Sequence, residues 1–199
     1  MRPATDPRRA PRHSRLLHIR PGLERFTDRC APQLARLLRR GDLLVVNDAA
    51  TLPASLQVEE GLELRLLSMS TPRRWRAVLF GVGDWRTDTD ARPAPPAVRI
   101  GQTLRLQGGL SATVEGISPL SPRLLSIRFE TSADAIWSQL YRLGRPIQYA
   151  YLQEPVPLWA VQNVYARRPW SVEMPSAGRI LTWSVLSSLR QAGVQIARL

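Results

Sequence analysis

The sequence predicts an α/β fold, a partial α/β barrel-like domain, interrupted by a small antiparallel β-barrel insert. Helix-like and strand-like patterns occur before about residue 54 and again after about residue 131. Between them, short strand-like runs are separated by glycines, a texture typical of small antiparallel barrels or sandwiches. We therefore predict a discontinuous, incomplete α/β domain at 1–54 and 131–199, and a barrel insert at 55–130.

The first α/β segment begins with an irregular stretch rich in Arg and Pro at 1–14, followed by a short strand at 15–19. Residues 32–40 are predicted to be a helix, because a proline suits its first turn, leucines form one apolar stripe and Gly41 suits its end. A buried strand is predicted at 43–46, ending in a polar turn at 47–48.

The insert is predicted from runs with partial alternation of apolar and polar residues. They lie at 62–67, 75–80, 103–107, 112–114 and 124–129. A long mobile loop is expected at 84–96.

After the insert, Ser132 is expected to cap a helix that ends at Gly144, and Thr182 to cap a second helix that ends at Gly193. A final strand is predicted at 194–197. Because a strand of a parallel sheet needs neighbours on both sides, we expect that a second chain could complete this domain.

Composition excludes several classes of protein. The chain has 199 residues, 44% of them hydrophobic, without a run near the ~20 apolar residues of a membrane span or the core of a secretory signal. The single cysteine, Cys30, excludes a disulfide framework and a cysteine-based zinc site, and we expect a small buried side chain there. We predict a cytoplasmic protein without membrane contact.

The charge is strongly positive and unevenly distributed. Twenty-eight basic residues, all arginine, face 16 acidic ones, for a net charge of +12. Residues 1–40 hold 11 of the arginines and three acids. Arginine-rich segments bind phosphates, which indicates nucleic acid or another anion, but the absence of lysine is also typical of a biased composition.

Few residues suggest chemistry by themselves. His13 and His18 lie without a nearby carboxylate cluster, so we predict no metal. Asp48 follows a strand, where a carboxylate can be a general base, bind a ribose hydroxyl, or simply cap its own turn. The small residues at 175–178 either allow a ligand close to backbone amides or form a plain loop.

These two segments also resemble a known family. Residues 41–48 (GDLLVVND), with the following 52–56 (LPASL), resemble the GDLLVxNDTRVIPARL signature of the S-adenosylmethionine:tRNA ribosyltransferase-isomerases of queuosine biosynthesis. Residues 14–17 (SRLL), 162–166 (QNVYA) and 175–178 (PSAG) are similar to further motifs of this family, in the same order.

The resemblance implies the fold predicted above and a reaction. The ribosyl group of S-adenosylmethionine, the substrate, is moved onto 7-aminomethyl-7-deazaguanine at the wobble position of tRNA and isomerised, which gives epoxyqueuosine. On this basis Asp48 is the candidate catalytic residue. The candidate substrate-binding residues are Asn47, Tyr165, Pro175, Ser176, Ala177 and Gly178. Candidate RNA contacts are Arg15, Arg145 and Arg168.

The sequence also departs from the family pattern. The family's Thr-Arg after Asn-Asp is Ala49-Ala50 here, its Leu-His-Phe after the PTAG motif is replaced by 179–181, and its later signatures are absent. We therefore expect a truncated, divergent member. The alternative is an inactive paralogue that retains RNA or ligand binding, or one half of a split enzyme.

Overall fold

A computed structural model describes residues 14–199, so the predicted irregular segment before Ser14, including His13, lies outside the described residues. Strands dominate this part of the chain. The strands are β1 (Arg15–Arg20), β2 (Arg25–Cys30), β3 (Leu43–Val46), β4 (Ala49–Thr51), β5 (Ser55–Gln57), β6 (Glu63–Thr71), β7 (Arg74–Phe80), β8 (Thr103–Arg105), β9 (Ser111–Ser118), β10 (Ser121–Phe129), β11 (Arg168–Ser171) and β12 (Gln195–Arg198). The α-helices are α1 (Ala133–Leu143) and α2 (Trp183–Gln191).

The largest sheet is antiparallel and curled, with the strand order β5-β6-β7-β10-β9-β8. An isolated bridge between Val58 and Leu106, just beyond β5 and β8, brings its two edges together at one end. Inward-facing side chains form the main core, among them Leu64, Leu79 and Phe129, each fully buried. The antiparallel strands predicted in this region are confirmed, and most extend further than their apolar runs.

Helix α1 covers this core. Its cap is the predicted one, since the Ser132 hydroxyl accepts a hydrogen bond from the amide of Ala135 at 3.3 Å. Ile136 and Leu140 are buried against the sheet. The Trp137 ring meets Trp75 edge-on, with centroids 5.9 Å apart.

A second, smaller core lies beneath α2. Strand β12 pairs in parallel with β3, and Val185, Leu186 and Leu189 of α2 pack against Val46. The Thr182 hydroxyl caps α2, as predicted, by accepting from the Val185 amide at 3.4 Å.

Two sequence predictions in this region were wrong. The segment predicted as a helix at 32–40 is a shorter 3-10 helix, Ala31–Arg36. It does not continue to residue 40 because a tight turn begins at Arg39, whose amide donates to the Asp42 carboxylate at 2.7 Å. Strand β3 is not buried throughout. Leu43 and Val45 are 57% and 49% exposed because they face away from the second core.

The predicted long loop at 84–96 is anchored rather than free. Trp85 and Arg92 within it are buried. The Arg92 guanidinium pairs with the Glu63 carboxylate and donates to the Gly83 carbonyl at 2.8 Å. Glu63 also accepts from Arg65 at 2.7 Å, so one buried carboxylate fixes this loop to β6.

Four strands were missed by the sequence patterns: β2, β4, β5 and β11. Strand β11 pairs in parallel with β4 through Arg168 and Ala49, which places the chain after residue 163 beside the chain after β3. In the part of the chain that the structure describes, no helix is long and apolar enough to cross a membrane.

Candidate functional site

One groove gathers most of the residues predicted to bind substrate. It has a volume of about 590 Å³ and lies between the end of β3 and the 3-10 helix Ser176–Ile180. Its wall includes Asn47, Tyr165, Pro175, Ser176, Ala177 and Gly178, together with apolar side chains such as Leu34, Val46 and Leu181. Segments more than 100 residues apart in sequence therefore form one cavity of a size suited to a small molecule.

Asp48 lies beside this groove, directly after Asn47, and is 2% exposed. Its carboxylate oxygen Oδ2 is buried without a hydrogen-bond partner among the described residues. Asn47, not Asp48, caps the turn, because the Asn47 Oδ1 atom accepts from the amide of Ala49 at 2.9 Å. A buried carboxylate oxygen without a donor is costly, which makes Asp48 available to a ligand hydroxyl or proton.

Two further residues build the site that the sequence did not single out for a role. The Gln162 side chain both donates to and accepts from the backbone of Thr51, each at 2.8 Å, and so fixes β4. The Asn163 amide donates to the carbonyl of Pro175 at 2.9 Å, which holds the 175–178 loop in place. Both residues lie in the 162–166 motif. The motif therefore indicated a segment of the site, but it did not predict the hydrogen bonds that these two side chains form.

Asn163 leaves a second acceptor unused. Its Oδ1 atom is buried without a partner in the described part of the chain. Because Nδ2 is committed to Pro175, the amide orientation is set, and Oδ1 remains an acceptor only. The site thus has two buried acceptors, on Asp48 and Asn163, that no described donor satisfies.

Tyr165 is a wall of the groove, 5% exposed and packed in the second core. Burial raises the pKa of its hydroxyl, so it stays protonated near neutral pH. The hydroxyl lies against Gly178, where a methyl group would fall well inside contact distance of it, 2.8 Å from Asn163 Nδ2 and 3.1 Å from Cζ of Tyr165. The close approach of these two segments therefore requires glycine.

We expect Gly178→Ala to lower the free energy of unfolding by about 1–3 kcal/mol, because the added methyl group overpacks a closed contact. The same change should weaken ligand binding in the groove, since Tyr165 or the loop must move. Urea denaturation and ligand titration measure the two effects.

The matched control is the double variant Gly178→Ala/Tyr165→Phe. Removing the hydroxyl takes away the nearest clashing atom, so the double variant should recover stability relative to Gly178→Ala alone. Equal stabilities of Gly178→Ala and wild type would contradict the described contact.

A second groove, of about 380 Å³, adjoins the first and shares Ser176 with it. Tyr149 and Tyr151 stack in its wall, with centroids 6.0 Å apart. Burial, together with the hydrogen bond that Tyr149 donates to the Glu173 carboxylate, raises the pKa of Tyr149 to about 12.

The three candidate RNA-binding arginines lie on separate elements. Arg15, on β1, pairs with Asp28 at 2.9 Å on the exposed hairpin formed with β2. Arg145 pairs through its backbone with Ser55 and has an exposed side chain. Arg168 is connected to the groove, because its amide approaches the Asp48 carbonyl at 3.4 Å.

Cys30 and the other possible metal ligands do not form a second site in the described part of the chain. Cys30 is half-buried, less enclosed than predicted, and its amide donates to the Gln33 side chain at 2.9 Å. Within residues 14–199, no three His, Cys, Asp or Glu side chains are grouped to hold a metal ion. The absence of a metal stays a prediction.

Comparisons with known proteins match this chain over most of its length. The model of a family described as "Queuosine biosynthesis protein" matches residues 2–199. S-adenosylmethionine:tRNA ribosyltransferase-isomerase of Thermus thermophilus is 31% identical over 89% of this chain and 50% of its own. The proteins of the same name from Acidiphilium cryptum and Synechococcus sp. strain CC9605 are 31% and 35% identical, over 98% and 95% of this chain and 54% and 52% of theirs.

A solved structure was also found, the S-adenosylmethionine tRNA ribosyltransferase of Thermotoga maritima. It is 19% identical, with a TM-score of 0.39 over 98% of this chain and 52% of that one. The chain thus spans about half the length of the curated relatives it matches.

Proposed function

Because this chain belongs to the queuosine biosynthesis protein family, we propose that it acts in the modification of tRNA with S-adenosylmethionine as substrate. The proposed reaction transfers the ribosyl group onto 7-aminomethyl-7-deazaguanine at the wobble position and isomerises it to epoxyqueuosine, releasing adenine and methionine. The observation that carries the proposal is the groove formed by Asn47, Tyr165 and the 175–178 loop, beside the Asp48 Oδ2 atom, which has no hydrogen-bond partner among the described residues.

The groove suits S-adenosylmethionine for chemical reasons. Its apolar walls can cover the uncharged part of the ligand, and the small residues at 175–178 leave backbone amides within reach of the methionine carboxylate. In this proposal the Ser176 hydroxyl and the Ala177 amide hold that carboxylate, while Gly178, whose amide donates to the Pro175 carbonyl at 3.1 Å, shapes the loop and lines the groove. Asn47 orients the substrate and Tyr165 forms the wall next to the adenine.

Asp48 is the proposed catalytic residue. The positive sulfonium of the substrate makes the adjacent 5′ carbon acidic, so a positioned carboxylate can accept its proton and leave the electron pair on carbon. The unpartnered Oδ2 atom equally fits a ribose hydroxyl as its donor. The two roles differ in their effect on binding and on turnover.

For the fold, we propose that the described part of 1–54, from Ser14 onward, forms a discontinuous α/β barrel-like domain with 131–199, and that 55–130 form an antiparallel barrel. The parallel pairs β3–β12 and β4–β11 support the first part. The Val58–Leu106 bridge between the edges of the curled sheet supports the second.

The proposed partner is a tRNA that carries the modified wobble base, bound in the cytoplasm. Arg15, Arg145 and Arg168 are proposed phosphate contacts, because all three side chains are exposed and positively charged. The comparisons give no support to a second chain that completes the domain.

Calorimetric titration with S-adenosylmethionine tests the proposal. Wild type should bind it, and Ala177→Trp should abolish binding by filling the groove that Ala177 lines. Ala91→Trp, at an exposed position outside that groove, is the matched control and should bind normally. If wild type binds no S-adenosylmethionine, or Ala177→Trp binds it as well as wild type, this groove is not the substrate site.

A further inference from the structure

A second surface lies behind the Asp48 turn, on β11. Trp170 is 65% exposed there, and the Arg168 guanidinium lies over its ring at 5.1 Å from the centroid. The two residues are neighbours on one side of the strand, because side chains at i and i+2 share a face. A single exposed tryptophan does not by itself indicate a binding site. Trp170 is different, because the Arg168 guanidinium lies over its ring and its side chain lines a groove.

The groove next to Trp170 is apolar and has a volume of about 380 Å³. Leu67 and Met69 at the end of β6 form one side of it, with Met69 40% exposed, and the buried Trp75 forms part of its floor. Among the described residues that line it there is no carboxylate. The lining thus offers apolar surface without a carboxylate, and the Arg168 guanidinium lies beside it, over the Trp170 ring.

The surface is connected to the candidate catalytic residue by the backbone. The Asp48 carbonyl accepts from the amide of Arg167 at 2.7 Å, and Arg168 pairs with Ala49. A ligand held on β11 is thus fixed relative to Asp48 by the β4–β11 pair.

We propose that Trp170 and Arg168 form a platform on which an unpaired nucleotide of the RNA substrate stacks. This inference rests on the proposed function, because it takes the RNA partner from it. Unpaired RNA bases stack on aromatic rings and guanidinium planes, while the phosphates next to them meet arginine side chains. Arg168, and Arg167, which is also exposed, supply that charge.

The test is binding of a fluorescently labelled anticodon stem-loop RNA, with oligouridylate and a fully paired RNA duplex as additional probes. Trp170→Ala should raise the dissociation constant for the stem-loop and for oligouridylate about tenfold or more, because one base loses its stacking partner. Trp170→Phe should retain most of the affinity. Binding of the duplex, which offers no unpaired base, should change less than twofold.

The matched control is Trp159→Ala, because Trp159 is similarly exposed, at 69%, and does not line the groove. It should leave all three affinities within twofold of wild type. Thermal unfolding of each variant checks that it is folded, which we expect since the Trp170 side chain is mostly outside the core.

Several results would overturn the platform. One is binding of the stem-loop by Trp170→Ala within twofold of wild type, and another is an equal loss of duplex binding in that variant. A third is unchanged RNA binding together with self-association, measured by light scattering, that is lost in Trp170→Ala, which would make this face a protein contact. Absence of any RNA binding by wild type overturns the platform and the RNA partner, whereas the S-adenosylmethionine titration tests the groove separately.

Discussion

Replacing Glu63 with alanine should lower the free energy of unfolding by about 3–5 kcal/mol, because it leaves buried cations without their partner. The Glu63 carboxylate lies between the guanidinium groups of Arg65 and Arg92, and the three side chains are 3%, 7% and 0% exposed, respectively. The Ser55 hydroxyl donates to it at 2.6 Å. Both guanidinium groups also lie over the Phe80 ring, at 4.5 and 5.1 Å.

Urea denaturation followed by circular dichroism measures this loss. The control is Glu59→Ala, since Glu59 is exposed and its ion pair with Arg105 is long, at 3.9 Å. That variant should lose far less stability than Glu63→Ala. Equal losses for the two variants would contradict the described burial of the Glu63 network.

The same carboxylate predicts a dependence of stability on pH. Burial by itself raises the pKa of Glu63, but hydrogen bonds from Arg65, Ser55 and Arg92 and the charge of Arg65 outweigh it, so the pKa lies below the usual 4.5. A lowered folded-state pKa adds stability above the unfolded pKa, and that stability is lost as the pH falls through the folded value. Below about pH 4.5, the urea concentration at the unfolding midpoint should therefore decrease more steeply with falling pH in wild type than in Glu63→Ala. Urea midpoints that decrease equally with falling pH in both proteins would contradict a lowered pKa of Glu63.

Replacing Asp48 with asparagine should reduce formation of the modified nucleoside about 10²–10⁴-fold if Asp48 is the general base. In that case the dissociation constant for S-adenosylmethionine changes little, since the side chain keeps its size and polarity. If the carboxylate binds a ribose hydroxyl instead, the dissociation constant should rise about tenfold or more, because a charged acceptor is lost from a buried site.

Calorimetry and product formation, measured on one preparation, separate the two roles. Asp134→Asn is the matched control, because Asp134 is exposed in the first turn of α1, outside the groove. It should leave both quantities unchanged. Unchanged binding and unchanged product formation in Asp48→Asn would remove Asp48 from the site.

Much of the fold was predictable where local chemistry decides it. Ser132 and Thr182 are strong helix caps followed by amphipathic patterns, and both helices begin where these residues indicate. Five of the six strands of the curled sheet contain short strand-like runs bounded by turn residues, which the patterns found, and only the three-residue edge strand β5 was missed. Strand β11 was missed because its sequence, Arg-Pro-Trp-Ser, has no alternation, and only its pairing with β4 makes it a strand.

The candidate site was predictable as a set of segments but not as a geometry. Asn47, Tyr165 and the 175–178 loop were chosen from motifs, and the structure brings them to one groove. The Asn47 cap is a local hydrogen bond, but Asp48 is buried beside the later chain, where its carbonyl accepts from the Arg167 amide, and no local pattern reveals that contact. The anchoring of the 84–96 loop was missed for the same reason, because an arginine in a polar loop gives no sign of the buried Glu63 it meets.

The most direct measurement is the reaction of the purified chain with S-adenosylmethionine and tRNA that carries 7-aminomethyl-7-deazaguanine. Digested nucleosides are analysed by mass spectrometry, with adenine release as a second readout and the Thermus thermophilus relative as a positive control. The proposed function predicts epoxyqueuosine and adenine in equal amounts from wild type and their loss in Ala177→Trp. Absence of both products from wild type, with the control enzyme active, would contradict it.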